Sequence, residues 1–225
     1  DGDEIVVMPG IYADMGNAQV ISIDGKNIWL HSSDGPEATF IDGNAMPLHR
    51  GILGNDSMST IEGFTIRNCV YDNDGGAGLR WENGELTLTN CVFSNNVCVD
   101  DSGLAFGGGA YFENSSVWID GCQFQGNSAE TGSDGSGGHG GGLFLINCNA
   151  SISDTVFSEN AARHLKAKFP NSGGGGISVH NGVGSFTNCT FINNYSNGWC
   201  GGLSSGNCEL LLENCSFVNN EGVFG

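Results

Sequence analysis

Basic side chains are scarce in this chain: seven Lys and Arg stand against 25 Asp and Glu, for a formal net charge of −18. A nucleic-acid partner needs a basic face to meet its phosphates, so that class is excluded. An anionic membrane surface is disfavoured for the same reason, and no apolar run approaches the ~20 residues of a membrane helix. Long 3.6-residue periodicity is missing. Only SENAARHLKAKF, residues 158–169, reads as a helical turn or two. Nine cysteines include no CxxC pair, so a zinc site is not expected. The chain holds no nucleophile elbow, P-loop or HExxH helix, and His31, His49, His139, His164 and His180 show no ligand spacing. The chain opens abruptly on DGDEIVV and reads as a piece of a longer protein.

What the chain has in excess is glycine, 38 residues of 225, gathered in a cassette that recurs five times. Each copy starts at the last glycine of a run: Gly78, Gly109, Gly142, Gly176 or Gly202. Thirteen residues later stands Cys91, Cys122, Thr155, Cys189 or Cys215. Two further on is Phe93, Phe124, Phe157, Phe191 or Phe217, and three beyond that Asn96, Asn127, Asn160, Asn194 or Asn220. A repeat of fixed internal register decides the architecture before any other clue.

Within the cassette the residues ahead of the Cys position alternate. Leu86 and Leu88, Val117 and Ile119, Ala150 and Ile152, Gly184 and Phe186, and Leu210 and Leu212 define one face. Thr87, Trp118, Ser151, Ser185 and Leu211 lie on the other. Period two with one apolar face is a half-buried strand. A second short strand follows the anchoring glycine. The spacing between Cys positions is 31, 33, 34 and 26 residues, and all the variation falls between the Asn and the next glycine. One rigid coil per cassette plus a free loop accounts for this. The expected fold is all-β: a parallel β-helix, right-handed because parallel crossovers favour that hand. A single domain spans 1–225, with N-terminal coils over 1–63 and cassette coils over 64–225. About eight rungs at ~4.8 Å each make a rod of roughly 35–40 Å. STIEGFTIRNCVYDND supplies a partial cassette, with Cys69 on the Cys row, Tyr71 on the aromatic row and Asp74 on the Asn row.

Stacked coils turn these rows into ladders. The aromatic row buries apolar area and holds register. The Asn row is expected at a bend, where Asn tolerates left-handed backbone and its amide can bond the next rung. The Cys row (Cys69, Cys91, Cys122, Cys189, Cys215) comes within disulfide range between adjacent rungs, but parallel Cβ vectors favour buried free thiols. Cys98, Cys148, Cys200 and Cys208 lie off that row.

The pairing of GGA- or GGG-aliphatic starts with repeated FxxN, from Phe93–Asn96 to Phe217–Asn220, resembles the polymorphic outer membrane proteins of chlamydiae and related surface proteins. DGDEIVVMPGIY resembles the opening coil of pectin-lyase-like β-helices. The first resemblance implies a secreted, surface-exposed module acting in adhesion. The second implies a carbohydrate-active alternative, in which acidic calcium ligands and an Arg or Lys base share a groove. Candidates for that chemistry are Arg80, Asp100, Asp101 and Asp120, with a basic loop of Arg163, His164, Lys166 and Lys168. Asp72-x-Asp74-Gly75 opens like a calcium loop, but its twelfth position is Asn83 rather than Glu. No cofactor beyond such a calcium ion is expected. Six sequons, at Asn55, Asn114, Asn149, Asn188, Asn194 and Asn214, make glycosylation an expectation in a eukaryotic secretory setting. The reading is an extracellular or cell-surface structural and adhesive module, non-enzymatic. Its partners are other protein copies or surface proteins, met end to end or laterally, or glycans.

Overall fold

A computed structural model describes all residues except 1, 14–15, 17, 45–47, 73–74, 102, 133–136, 167–170 and 225. Every strand pair is parallel, and four sheets run the length of the molecule. The first follows the glycines and includes Leu79–Glu82, Ala110–Glu113, Leu143–Ile146 and Ile177–His180. The second, of eight strands, runs from Asp3–Val7 through Glu85–Thr89 and Ser116–Asp120 to Glu209–Glu213. The third carries the phenylalanines, in Val92–Ser94, Gln123–Gln125, Val156–Ser158, Thr190–Ile192 and Ser216–Val218. The fourth follows the asparagines and includes Val97–Asp100, Ser128–Thr131 and Ala161–His164. The chain visits the four in turn and then begins again, which is a β-helix.

Each coil therefore has four strands, where the cassette suggested two. The expected helical turn within 158–169 is absent from its described part. Ala161–His164 is a strand of the fourth sheet, and residues 167–169 lie outside the described residues. Tertiary pairing overrides the weak local helix signal, because Ala161–His164 bonds to Ser128–Thr131.

Single residues with left-handed backbone make the corners. Between first and second sheets they include Asn83, Asn114, Asn147, Asn181 and Asn207, with φ of 50 to 54°. Between second and third they include Asn90, Asn188 and Asn214, and between third and fourth Asn95, Asn193 and Asn219. Asparagine occupies this region more readily than other L-residues. The expectation that the FxxN asparagine itself takes the left-handed bend is thus corrected: its predecessor turns the chain. The FxxN residue then points inward.

That residue closes the coil. Asn127 donates from Nδ2 to the carbonyls of Phe93 (2.9 Å) and Asn160 Oδ1 (3.0 Å), and its Oδ1 accepts from the Asn96 backbone N–H (3.1 Å) and Nδ2 (3.0 Å). The pattern repeats through Asn160, Asn194 and Asn220. The same amides abut the anchoring glycines. A Cβ on Gly109 would collide with the carbonyl of Gly142 in the next coil and press on Asn127. Glycine start and asparagine end are one contact seen from two sides.

The aromatic row stacks face to face, with centroids 4.7 Å apart for Phe93–Phe124, 4.9 Å for Phe124–Phe157, 5.1 Å for Phe157–Phe191 and 4.5 Å for Phe191–Phe217. Together with the inward Leu, Ile and Val of the first two sheets it forms one continuous core.

The partial cassette sits five positions out of its expected register. Thr65–Arg67 pairs with Val92–Ser94, placing Phe64 beside Cys91 and Ile66 beside Phe93. Cys69 therefore stands on the Asn row, where its N–H donates to Asn96 Oδ1 (3.1 Å), and Tyr71 pairs with Cys98 in the fourth sheet. Asp74 lies outside the described residues.

Candidate functional site

Inward-facing cassette residues are consumed by the fold, and the thiols show how. Cys91, Cys122 and Cys189 follow a left-handed corner. Each Sγ donates to the carbonyl two residues back, at 3.4, 3.5 and 3.5 Å. Thr155 makes the same bond at 2.7 Å, as does Ser115 at the preceding corner. Cysteine here is a small side chain with a weak donor, a role that Thr155 fills with its hydroxyl. All nine thiols are free. Cys215 is half-buried in the last coil, and Cys200 is exposed. Burial pushes the Cys69 thiol up to about 12 and that of Cys98 to about 11.

The residues proposed for lyase-like chemistry do not converge. Arg80 projects from the first sheet, pairs with Glu82 (2.7 Å) and lies over the Tyr111 ring. Asp120 projects from the second sheet and accepts from the Ser153 hydroxyl. Asp100 ends a fourth-sheet strand and binds the Gly103 N–H (2.8 Å). Asp101 lies against Gly132 in the loop that follows. Arg163 pairs with Glu130 (3.3 Å), and the buried His164 accepts the Lys166 N–H on Nδ1 (3.1 Å). Lys168 lies outside the described residues. Arg67 pairs with Asp42 (2.6 Å), and Arg50 is buried against the carbonyls of Gly75 and Gly76. Of the calcium-loop residues, Asp72 is in the fourth sheet and Asp74 is undescribed. Asn83 forms a corner whose amide bonds Asn55 (3.0 Å) and Asn114 (3.3 Å). Among the described residues, no group of three or more His, Cys, Asp or Glu is placed to hold a metal ion.

Five sequons reach the surface. Asn114, Asn149, Asn188 and Asn214 are exposed and Asn55 partly so. Asn194 is not available: it is fully buried within the amide ladder, which corrects its reading as an acceptor.

Two surfaces escaped the sequence reading. Over the first sheet, the loops fold back as two short strands, Leu104–Phe106 and Gly137–His139. Phe106, Tyr111, His139, Phe144 and His180 form an outer aromatic cluster there, with Phe106–Phe144 centroids 4.4 Å apart. Burial, and secondarily His180, brings the His139 pKa down to about 4. This covers the middle of the first sheet's outer face, where Tyr111, Phe144 and Ser178 are buried.

Among the described residues, nothing covers the second sheet's outer face. Its outward positions include two tryptophans, Trp29 and Trp118, on the same column. Alternation identified Trp118 as outward, but nothing in the sequence showed that this face, and not another, stays open.

Four parallel sheets wound in successive coils, with internal amide and aromatic ladders, define a β-helix protein. The family model described as right handed beta helix region matches residues 49–224, and the chain belongs to that family. No curated protein and no solved structure matches it.

Proposed function

We propose that this chain is an extracellular structural and adhesive module: a rigid, non-enzymatic β-helix that presents one open sheet face to its partner. The observation that carries this reading is the eight-stranded second sheet, whose outward side no loop covers among the described residues and whose large apolar side chains stand in solvent (Trp29, Met58, Trp118, Val183 and Leu211). Exposed apolar side chains on an ordered face mark interaction surfaces. The cationic side chains support the non-enzymatic part. Arg67, Arg80 and Arg163 are held in ion pairs and Arg50 is buried, while Lys26 and Lys166 are exposed on separate loops. The acidic surface and five reachable sequons suit a secreted setting.

Beads coated with the protein should attach to cell monolayers above the level of uncoated beads. The same preparation should release no new reducing ends or unsaturated products from polysaccharides. Failure to attach would remove the adhesive reading, and turnover would replace it with the enzymatic one.

A further inference from the structure

The outward column of the second sheet reads Trp29, Thr60, Thr87, Trp118, Ser151, Ser185 in paired register. Trp29 is 42% exposed and Trp118 45%. Three strand steps separate them, about 14 Å at ~4.8 Å per step. Trp29 is held in place: its Nε1 donates to Glu62 Oε2 (3.2 Å), and its ring stacks on His31 with centroids 4.3 Å apart. Between the two indoles lie Thr60 and Thr87, whose hydroxyls make no hydrogen bond among the described residues. A shallow trough of about 350 Å³ runs past Trp29, Met58, Thr60, Glu85, Thr87 and Trp118. A second, of about 380 Å³, continues it from Trp118 to Asn149, Ser151 and Val183.

Two aromatic plates separated by free hydroxyls suit a ligand that alternates apolar faces with polar rims. A pyranose ring has that character: its C–H face packs on an indole, and its hydroxyls bond to Thr, Ser, Asn and carboxylate groups. A protein partner would want the apolar positions contiguous, whereas here Thr60 and Thr87 interrupt them. Charge narrows the class. Glu85 lines the trough and Glu62 accepts from Trp29, on a chain of net charge −18 that repels anionic polymers. We propose that this face binds a neutral polysaccharide chain lying along the solenoid axis, with Trp29 and Trp118 stacking on sugar rings about three residues apart. The assignment rests on the adhesive reading and names its ligand.

Affinity electrophoresis of the full chain through gels containing laminarin, galactomannan, xyloglucan or hydroxyethylcellulose tests it, with polygalacturonate as the anionic comparison. At least one neutral polymer should retard the protein. Trp29→Ala and Trp118→Ala should each weaken that retardation about tenfold or more. Trp199→Ala, exposed but off this face, should leave it unchanged, and all three variants should keep the parent melting temperature. Retardation by none of the neutral polymers, by polygalacturonate alone, or equally in the Trp29 and Trp118 variants would overturn the proposal. So would a dimer in light scattering that Trp118→Ala dissolves, since a second copy would then be the occupant. Bead attachment without retardation would sink the glycan assignment and leave the adhesive reading standing. Retardation without attachment would uphold the glycan assignment and sink the adhesive reading.

Discussion

Replacing Asn127 by alanine tests whether the amide ladder is what closes each coil. The side chain takes part in four hydrogen bonds, two donated and two accepted, all buried. Truncation leaves the Asn96 backbone N–H without its acceptor, in a site with 0% exposure. One orphaned buried donor costs about 1–3 kcal/mol. The weakened pairing of Phe93 O, Asn96 Nδ2 and Asn160 Oδ1 adds about 1–2 kcal/mol more. A loss of about 4 kcal/mol follows, or a fall in melting temperature of roughly 8–16 °C for a chain of this size. Asn220 makes the corresponding bonds in the last coil but is only partly buried, so water can replace them; Asn220→Ala should cost about 1 kcal/mol. Asn127→Asp keeps the shape and the acceptor but removes both donors and buries a charge, so it should cost at least as much as Asn127→Ala. Urea unfolding followed by far-ultraviolet circular dichroism reads all three. Equal costs at Asn127 and Asn220, or an Asn127→Asp variant as stable as the parent, would refute the reasoning.

Gly109→Ala, which drives a methyl into the Gly142 carbonyl, should lower the melting temperature well beyond Gly121→Ala. Gly121 has left-handed φ of 60° but nothing within 4 Å, so its alanine variant should cost only about 1–2 kcal/mol. Native-state labelling with a thiol reagent, mapped by mass spectrometry, should modify Cys200 first, Cys208 and Cys215 slowly, and Cys69 and Cys98 only after unfolding. Acid should weaken the fold through His139. The unfolded chain takes up that proton near pH 6.5 and the folded chain only near 4, so stability is full above 6.5 and is lost as pH falls between the two values. The loss should approach about 3 kcal/mol by pH 4, and His139→Gln should abolish most of it in pH-dependent unfolding curves.

Which residues face inward was legible in the chain alone. Alternation along a strand is a local property, and five cassettes in identical register repeat it until chance is excluded. Leu86, Leu88, Val117 and Ile119 are accordingly buried, and Thr87 and Trp118 are outward. The glycine starts and asparagine ends were visible as well, though not that they touch. Three matters required the tertiary structure. The register of the degenerate coil around Cys69 was one: the motif put Cys69 on the Cys row, and strand pairing and the left-handed corner at Asn68 put it on the Asn row instead. The true corner residue was another, since adjacent asparagines such as Asn95 and Asn96 differ only in backbone φ and burial. The last was which outer face remains free. Leu104–Phe106 and Gly137–His139 pair outside the four sheets, and the Phe106 ring covers Tyr111 and Phe144, while no described residue covers the second sheet in that way. Loop return is a long-range event with no periodic signature, so the chain announces its core and conceals its open face.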